Sequence, residues 1–273
     1  MIIKHDKQFN MFPSHVGLSK YILHYNIVFP ANDTFKAQYT LMPNACGTLS
    51  LAFDGYAVIA ELWGASLTPV LLGMEPNSYH ILLLIQLSPY GLYQITRQSQ
   101  VEFADKRLSL ADIDNDLFHS LHQAFVESKT ITGLINTCEN ILHKRMEKQV
   151  VSDSLLWATK IISDNNGQIQ VKELSSQSHY SERHLSRMFL DQIGMNVKDF
   201  ARLTRFNYVL KQLQKSPCLF VALSQQAGYY DQAHFDKDFK AISGVTPQMY
   251  VKTMSDFYYD GSEIYSTISS KED

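Results

Sequence analysis

The sequence predicts an α+β chain: a β-rich N-terminal part, a sandwich or barrel, carrying a helical hairpin, then an all-α part with two helix-turn-helix motifs. Three observations predict it. Short apolar or alternating runs recur between turn signals over residues 15–105. From Ile113 onward apolar residues fall at helical spacing. One helical pattern then occurs twice, near 174–194 and 223–244.

The strand runs are 21–29, 48–53, 56–63, 69–72 and 79–87. Pro30 with Asn32 and Asp33, Pro43-Asn44, Asp54-Gly55 and Glu75-Pro76-Asn77 punctuate them, as turn residues do. Many short strands at such spacing favour a sandwich or barrel. Ile113, Leu117, Leu121 and Phe125 mark a first helix. Ile131, Leu134, Ile135, Cys138, Ile141 and Leu142 mark a second, with Thr130 as its N-cap. This hairpin is expected to pack on the β part, though its stripe would serve equally as a dimer seam. The polar stretch 144–149 closes an N-terminal domain placed at 1–149.

Further helices are expected over 154–165 and 171–178, then over 181–193 with Gly194 as its stop. The next runs over 197–215 and breaks at Ser216-Pro217. The pattern then restarts over 219–227, turns at Gly228, and continues over 231–242 to Gly244. Thr246-Pro247 opens a last helix with a cap and a Pro at the first position. Residues 256–273 read as a loosely ordered acidic tail.

With 45% hydrophobic and 19% charged residues, the 273-residue chain has material for a sizeable core and no bias towards disorder. Its net charge of −3 hides an asymmetry. Residues 1–149 hold 11 Lys/Arg against 13 Asp/Glu, 150–255 hold 12 against 9, and 256–273 hold 1 against 5. The only positive segment carries the repeat, the electrostatic footprint of a nucleic-acid-reading part joined to a neutral one. No apolar run follows the N-terminal basic residues, so no signal peptide is expected. The most apolar stretch, 81–87, is too short for a bilayer. Cys46, Cys138 and Cys218 lack CxxC spacing and read as small core residues of a reduced, cytoplasmic protein. No GxGxxG, HExxH or GxSxG occurs. His24, His80, Glu61 and Tyr39 have no spacing that marks a site. The chain is therefore expected not to be an enzyme and to hold neither cofactor nor metal.

Aligned on each other, the two repeats put His184 with His234, Leu185 with Phe235, Arg187 with Lys237 and Phe189 with Phe239. Two such units in one chain are far less a matter of chance than one. A helix fits the major groove only if its outer face is polar and its inner face is held by a supporting helix. Leu185, Met188 and Phe189, and in the second unit Phe235 and Phe239, supply the inner stripes. Arg183, Ser186 and Arg187, then Gln232, Ala233, Asp236 and Lys237, are the outward candidates for reading DNA. Taken singly, such charges are solvated surface; inside a duplicated motif the balance moves to DNA contact. His184 and His234 read as supports of the helix. Ser181 and Asp231 fit N-caps.

These residues resemble the AraC/XylS regulators over about 153–252, most closely through Ala227 to Lys240 and through Gly244-Val245-Thr246-Pro247 before Tyr250. The resemblance implies a DNA-binding domain, placed at 150–255, of seven helices with two helix-turn-helix motifs. The chain departs from the family at His179 (a turn glycine), at Asp236 (a small polar residue) and at Lys237 (an arginine). The second motif is thus the odder reader of DNA. Residues 42–49 and 87–93 resemble the N-terminal domain of some such regulators, a cupin-like barrel that binds a small effector or mediates dimerisation. Trp63, Tyr25, Tyr56 and Phe53 are the aromatic candidates for its pocket, equally suited to an ordinary core.

The reading is a bacterial, nucleoid-associated transcriptional regulator. Its partners are double-stranded DNA, a small-molecule effector and a second subunit, without a membrane. Two alternatives stay open on the residues alone. One is an interaction protein whose helix-turn-helix domain has degenerated, to which Asp236 points. The other is a β-barrel enzyme with a helical appendage, which would need convergent carboxylates and histidines.

Overall fold

The computed structural model describes residues 9–31, 34–37, 39–147, 151–178, 180–215 and 219–254. His179, Ser216-Pro217, Cys218 and the acidic tail lie outside the described residues. The chain is α+β, with an N-terminal sheet and a helical C-terminal part.

The strands are β1 (Phe9–Pro13), β2 (Ile22–Val28), β3 (Thr40–Leu41), β4 (Thr48–Phe53), β5 (Val58–Trp63), β6 (Val70–Leu71), β7 (Ile81–Leu87) and β8 (Arg107–Ser109). Helices α1 (Gly91–Thr96), α2 (Leu110–Ile113), α3 (Asn115–Glu127) and α4 (Ile131–Met146) complete this part. Six strands form one antiparallel sheet in the order β1-β2-β7-β4-β5-β8, and β3 pairs β6 separately. The expected closure into a barrel is not seen among the described residues: β1 and β8 stand at the two edges. Helices cover one face instead.

Strand alternation explains that cover. Tyr25, Leu51, Leu62 and Leu83 point to one face and meet Leu121 and Phe125 of α3 and Leu134 and Leu142 of α4 in one core. Each such side chain contributes about 1.5–3 kcal/mol when fully buried. Asp114 and Thr130 cap α3 and α4 through the backbone N–H groups of Leu117 and Gly133. The opposite face is different. It carries buried His24, Asn26, Ser50 and Gln86 beside a small apolar cluster of Val28, Phe35, Ala52 and Leu82.

The C-terminal helices are α5 (Asp153–Asp164), α6 (Val171–Ser178), α7 (Glu182–Ile193), α8 (Val197–Lys215), α9 (Phe220–Gln226), α10 (Gln232–Ser243) and α11 (Pro247–Met254). Helix α8 binds the two halves of this bundle together. Phe200 at its start meets Phe189 of α7 edge-on at 5.3 Å between ring centroids, and Phe206 one face further on meets Phe239 of α10 at 5.1 Å. The same core takes in Ala45 and Ala65 of the N-terminal part, with Tyr21 and Tyr90 against it. The C-terminal end of α7 also abuts the 3₁₀ turn Gln100–Glu102. No helix among the described residues is long and apolar enough to cross a membrane. Cys46 and Cys138 are buried, and burial pushes both thiols up to about 12, out of the reactive range.

Candidate nucleic-acid interface

Helix α7 begins at Ser181, whose extended backbone lets its Oγ accept from the N–H of His184 at 3.2 Å. Leu185, Met188 and Phe189 are buried, as the inner stripe requires. Arg183 and Arg187 are exposed and Ser186 half-buried. With Ser181, His184 and Leu190 they line an open concavity of about 520 Å³. Tyr180 fixes where α7 starts. Its ring stacks on His184 at 4.8 Å, its hydroxyl accepts from Ser154 of α5, and its carbonyl accepts from Ser175 of α6. His184 thus supports the helix start, as expected, and also lines the concavity.

Helix α10 repeats the plan. Asp231 accepts from the N–H of His234 at 2.7 Å, and Phe235 and Phe239 are buried. Ala233 and Lys237 are exposed, whereas Gln232 and Asp236 are half-buried. Tyr229, in the turn before α10, packs edge-on against His234 and Phe235 and lies under the Arg205 guanidinium at 5.3 Å. Its hydroxyl donates to Asp238, which also accepts from Arg202 of α8 at 2.6 Å. Burial, then the Asp238 charge, holds the Tyr229 hydroxyl protonated as that donor. Asp238 therefore ties α10 to α8. Sequence reasoning missed this tie, since the pair is 36 residues apart. It also missed Tyr230, 92% exposed beside the cap Asp231.

The arginines sort themselves by partner. Arg97, Arg107, Arg145, Arg202 and Arg205 all donate to carboxylates or carbonyls of the chain, Arg145 to Asp114 at the N-cap of α3. Among the described residues Arg183 and Arg187 have no such acceptor, and Lys237 and Asp236 have no ion-pair partner. Two guanidiniums with free forks, one turn apart on one exposed helix face, suit an external acceptor of phosphate or guanine geometry.

A family model described as a helix-turn-helix domain matches residues 174–253, from α6 into α11. The probable transcription factor PqrA of Proteus vulgaris is 30% identical over 102 residues, which are 37% of this chain and 83% of PqrA. The chain belongs to the AraC/XylS family. AarP, an HTH-type transcriptional activator of Providencia stuartii, is 25% identical over 108 residues, 40% of this chain and 78% of AarP. ToxT of Vibrio cholerae aligns with 90% of this chain and 98% of its own at 13% identity and a TM-score of 0.42. As an AraC/XylS member the chain is a DNA-binding transcriptional regulator.

The aromatic pocket candidates of this AraC/XylS chain are not brought together. Tyr25 is fully buried in the core under α3 and α4. Trp63 lies on the other sheet face, its ring 4.7 Å from the Arg107 guanidinium carbon. Tyr56 is 97% exposed at the β4–β5 hairpin turn. Phe53 packs at the margin of the core. Among the described residues no group of three His, Cys, Asp or Glu could hold a metal ion.

The caps allow a direct check. Ser181→Ala and Asp231→Ala are each expected to cost about 1 kcal/mol, lowering Tm by roughly 2–4 °C in thermal denaturation. No change for either would mean that its helix start is held by Tyr180 or Tyr229 alone.

Proposed function

We propose that α5 to α11 are a seven-helix DNA-reading domain of residues 150–255, with α6–α7 and α9–α10 as two helix-turn-helix units. In this reading α7 and α10 are recognition helices that enter successive major grooves on one face of the DNA, about 34 Å apart. Arg183, Ser186 and Arg187 read or clamp one half-site, and Gln232, Ala233 and Lys237 the other. Asp236, which phosphate would repel, accepts from a cytosine amino group. The observation that carries the reading is the pair Arg183 and Arg187, exposed and without acceptors among the described residues. Residues 1–149, with the sheet as an open, cupin-like barrel, sense a small molecule or pair two subunits, and so set DNA affinity in the bacterial cytoplasm.

Selection from random duplexes with the full chain should enrich a bipartite site. Affinity for that site should fall steeply with salt. Six to ten phosphate contacts imply a loss of roughly 10³–10⁵ between 50 and 200 mM. A flat salt response with no enriched sequence would instead favour an interaction domain that has lost DNA.

A further inference from the structure

We infer that the sheet face turned away from α3 and α4 is a binding site for a small uncharged molecule that has a hydrogen-bond acceptor, such as a carbonyl, on a hydrocarbon body. The inference rests on the effector role proposed above for residues 1–149.

Strand register lays out this face in rows. His24 pairs with Gln86, Gln86 with Thr48, and Thr48 with Trp63. One step along, Asn26 pairs with Leu84, and Leu84 with Ser50. His24 and Asn26 are two residues apart on β2, so their side chains share the face, about 7 Å apart along the strand. They are 6% and 5% exposed. Their neighbours in the rows are satisfied. Gln86 donates to the Gly47 carbonyl and accepts from Thr48, and Ser50 accepts from the Trp63 indole N–H. His24 Nε2 and Asn26 Nδ2 have no partner among the described residues. Buried polar atoms are nearly always paired, so two open positions side by side on one face suit the acceptor of a bound molecule.

The next row is apolar. Val28 pairs with Leu82, and Leu82 with Ala52, under the ring of Phe35. Phe35 is fastened there by two backbone hydrogen bonds with the Asn77 side chain, at 2.9 and 2.8 Å. The occupant therefore meets hydrogen-bonding groups at one end and hydrocarbon at the other. Charge decides its class. The one cation in these rows, Arg107, is bonded to both Glu61 and Glu75 at 2.6 Å and so has no fork to spare. Burial lowers the His24 pKa and keeps its imidazole neutral. Among the described residues of these rows no free cation would balance an anionic head, and the Glu61 and Glu75 carboxylates stand nearby. A carbonyl oxygen can accept from Asn26 Nδ2, which is a donor only, and from the His24 Nε2 tautomer that carries the proton.

The test uses thermal melts of the full chain with three nine-carbon probes: 2-nonanone, nonanamide and nonanoate. The ketone and the amide should raise Tm by roughly 5–10 °C at a hundredfold excess over Kd, and nonanoate should not. Asn26→Leu should abolish the ketone response and raise the ligand-free Tm, because it removes a buried amide nitrogen without a partner among the described residues. A nonanoate shift equal to that of the ketone would overturn the inference. So would silence from both neutral probes, or an Asn26→Leu chain that melts lower or does not fold. A ketone shift in Tm with unchanged DNA affinity supports the site and removes only its effector role.

Discussion

Replacing Arg187 by alanine is expected to weaken operator binding by about 1–3 kcal/mol, a loss of roughly 5- to 150-fold, concentrated at one base position. Arg187 stands one turn after Arg183 on the exposed face of α7, above the buried Leu185, Met188 and Phe189. That packing fixes the helix, so the guanidinium is presented without the cost of ordering a loop. Its partner in the repeat is Lys237, a point charge without a fork, and Asp236 stands beside it. Lys237→Ala should therefore cost less and fall evenly across sequences. Arg187→Lys separates charge from geometry: it should keep most of the salt dependence and lose the discrimination. The measurement is fluorescence anisotropy on the selected site and on its single-base variants. If Arg187→Ala lowers affinity equally for all of them, Arg187 is a phosphate clamp and not a base reader.

What the sequence made legible follows from how local each signal is. Strands β2, β4, β5 and β7 lie within the predicted runs because alternation over six or seven residues is a local pattern. Helices α6 and α8 fall on their predicted bounds because the break at Ser216-Pro217 and the apolar spacing sit in the chain itself. Strands β3, β6 and β8 have two or three residues each, too few for a period to appear, and β6 was caught only as part of a longer apolar run. Helix α1 follows Pro89 and opens with Gly91, neither of which signals a helix interior, and exists because Leu92 and Ile95 reach the sheet core. Barrel closure is a property of strand ends that no run of residues encodes.

The outward residues of α7 and α10 were legible because the buried stripe defines its opposite. The pocket aromatics failed for the same kind of reason. Parity puts Tyr25 on one sheet face and Trp63 on the other, while Tyr56 sits in a turn. Parity would also have placed His24 beside Asn26. Which of the buried polar atoms lacks a partner depends on Gly47, Thr48 and Trp63, contributed by other strands and their connections.

Gly167→Ala should unfold the helical part far more readily than Gly244→Ala, although both glycines hold similar left-handed backbone, with φ of +73° and +80°. The conformational penalty of a side chain there, about 1–2 kcal/mol, is common to both. At Gly244, which ends α10, a Cβ would meet nothing within 4 Å, so that penalty is the whole effect. At Gly167 a Cβ would lie 2.1 Å from the Ala201 carbonyl oxygen and 2.7 Å from the Arg205 nitrogen, both backbone atoms of α8. Neither can yield without moving the helix. The loop cannot yield either: its Gly167 carbonyl accepts from Arg205 at 2.9 Å, and the adjacent Gln168 donates to the Gln226 carbonyl at the end of α9. Pushing this loop away loosens α8, whose Arg202 holds Asp238 of α10 and whose Phe200 packs on Phe189 of α7. The expected cost is about 3–5 kcal/mol, the range of severe core defects, against about 1–2 at Gly244. Thermal denaturation should place the two variants roughly 5–15 °C apart. The bipartite site should also suffer more than either half-site alone in Gly167→Ala, because α8 sets the spacing between α7 and α10. Equal melting of the two variants would mean that α8 is not the rigid spacer between them.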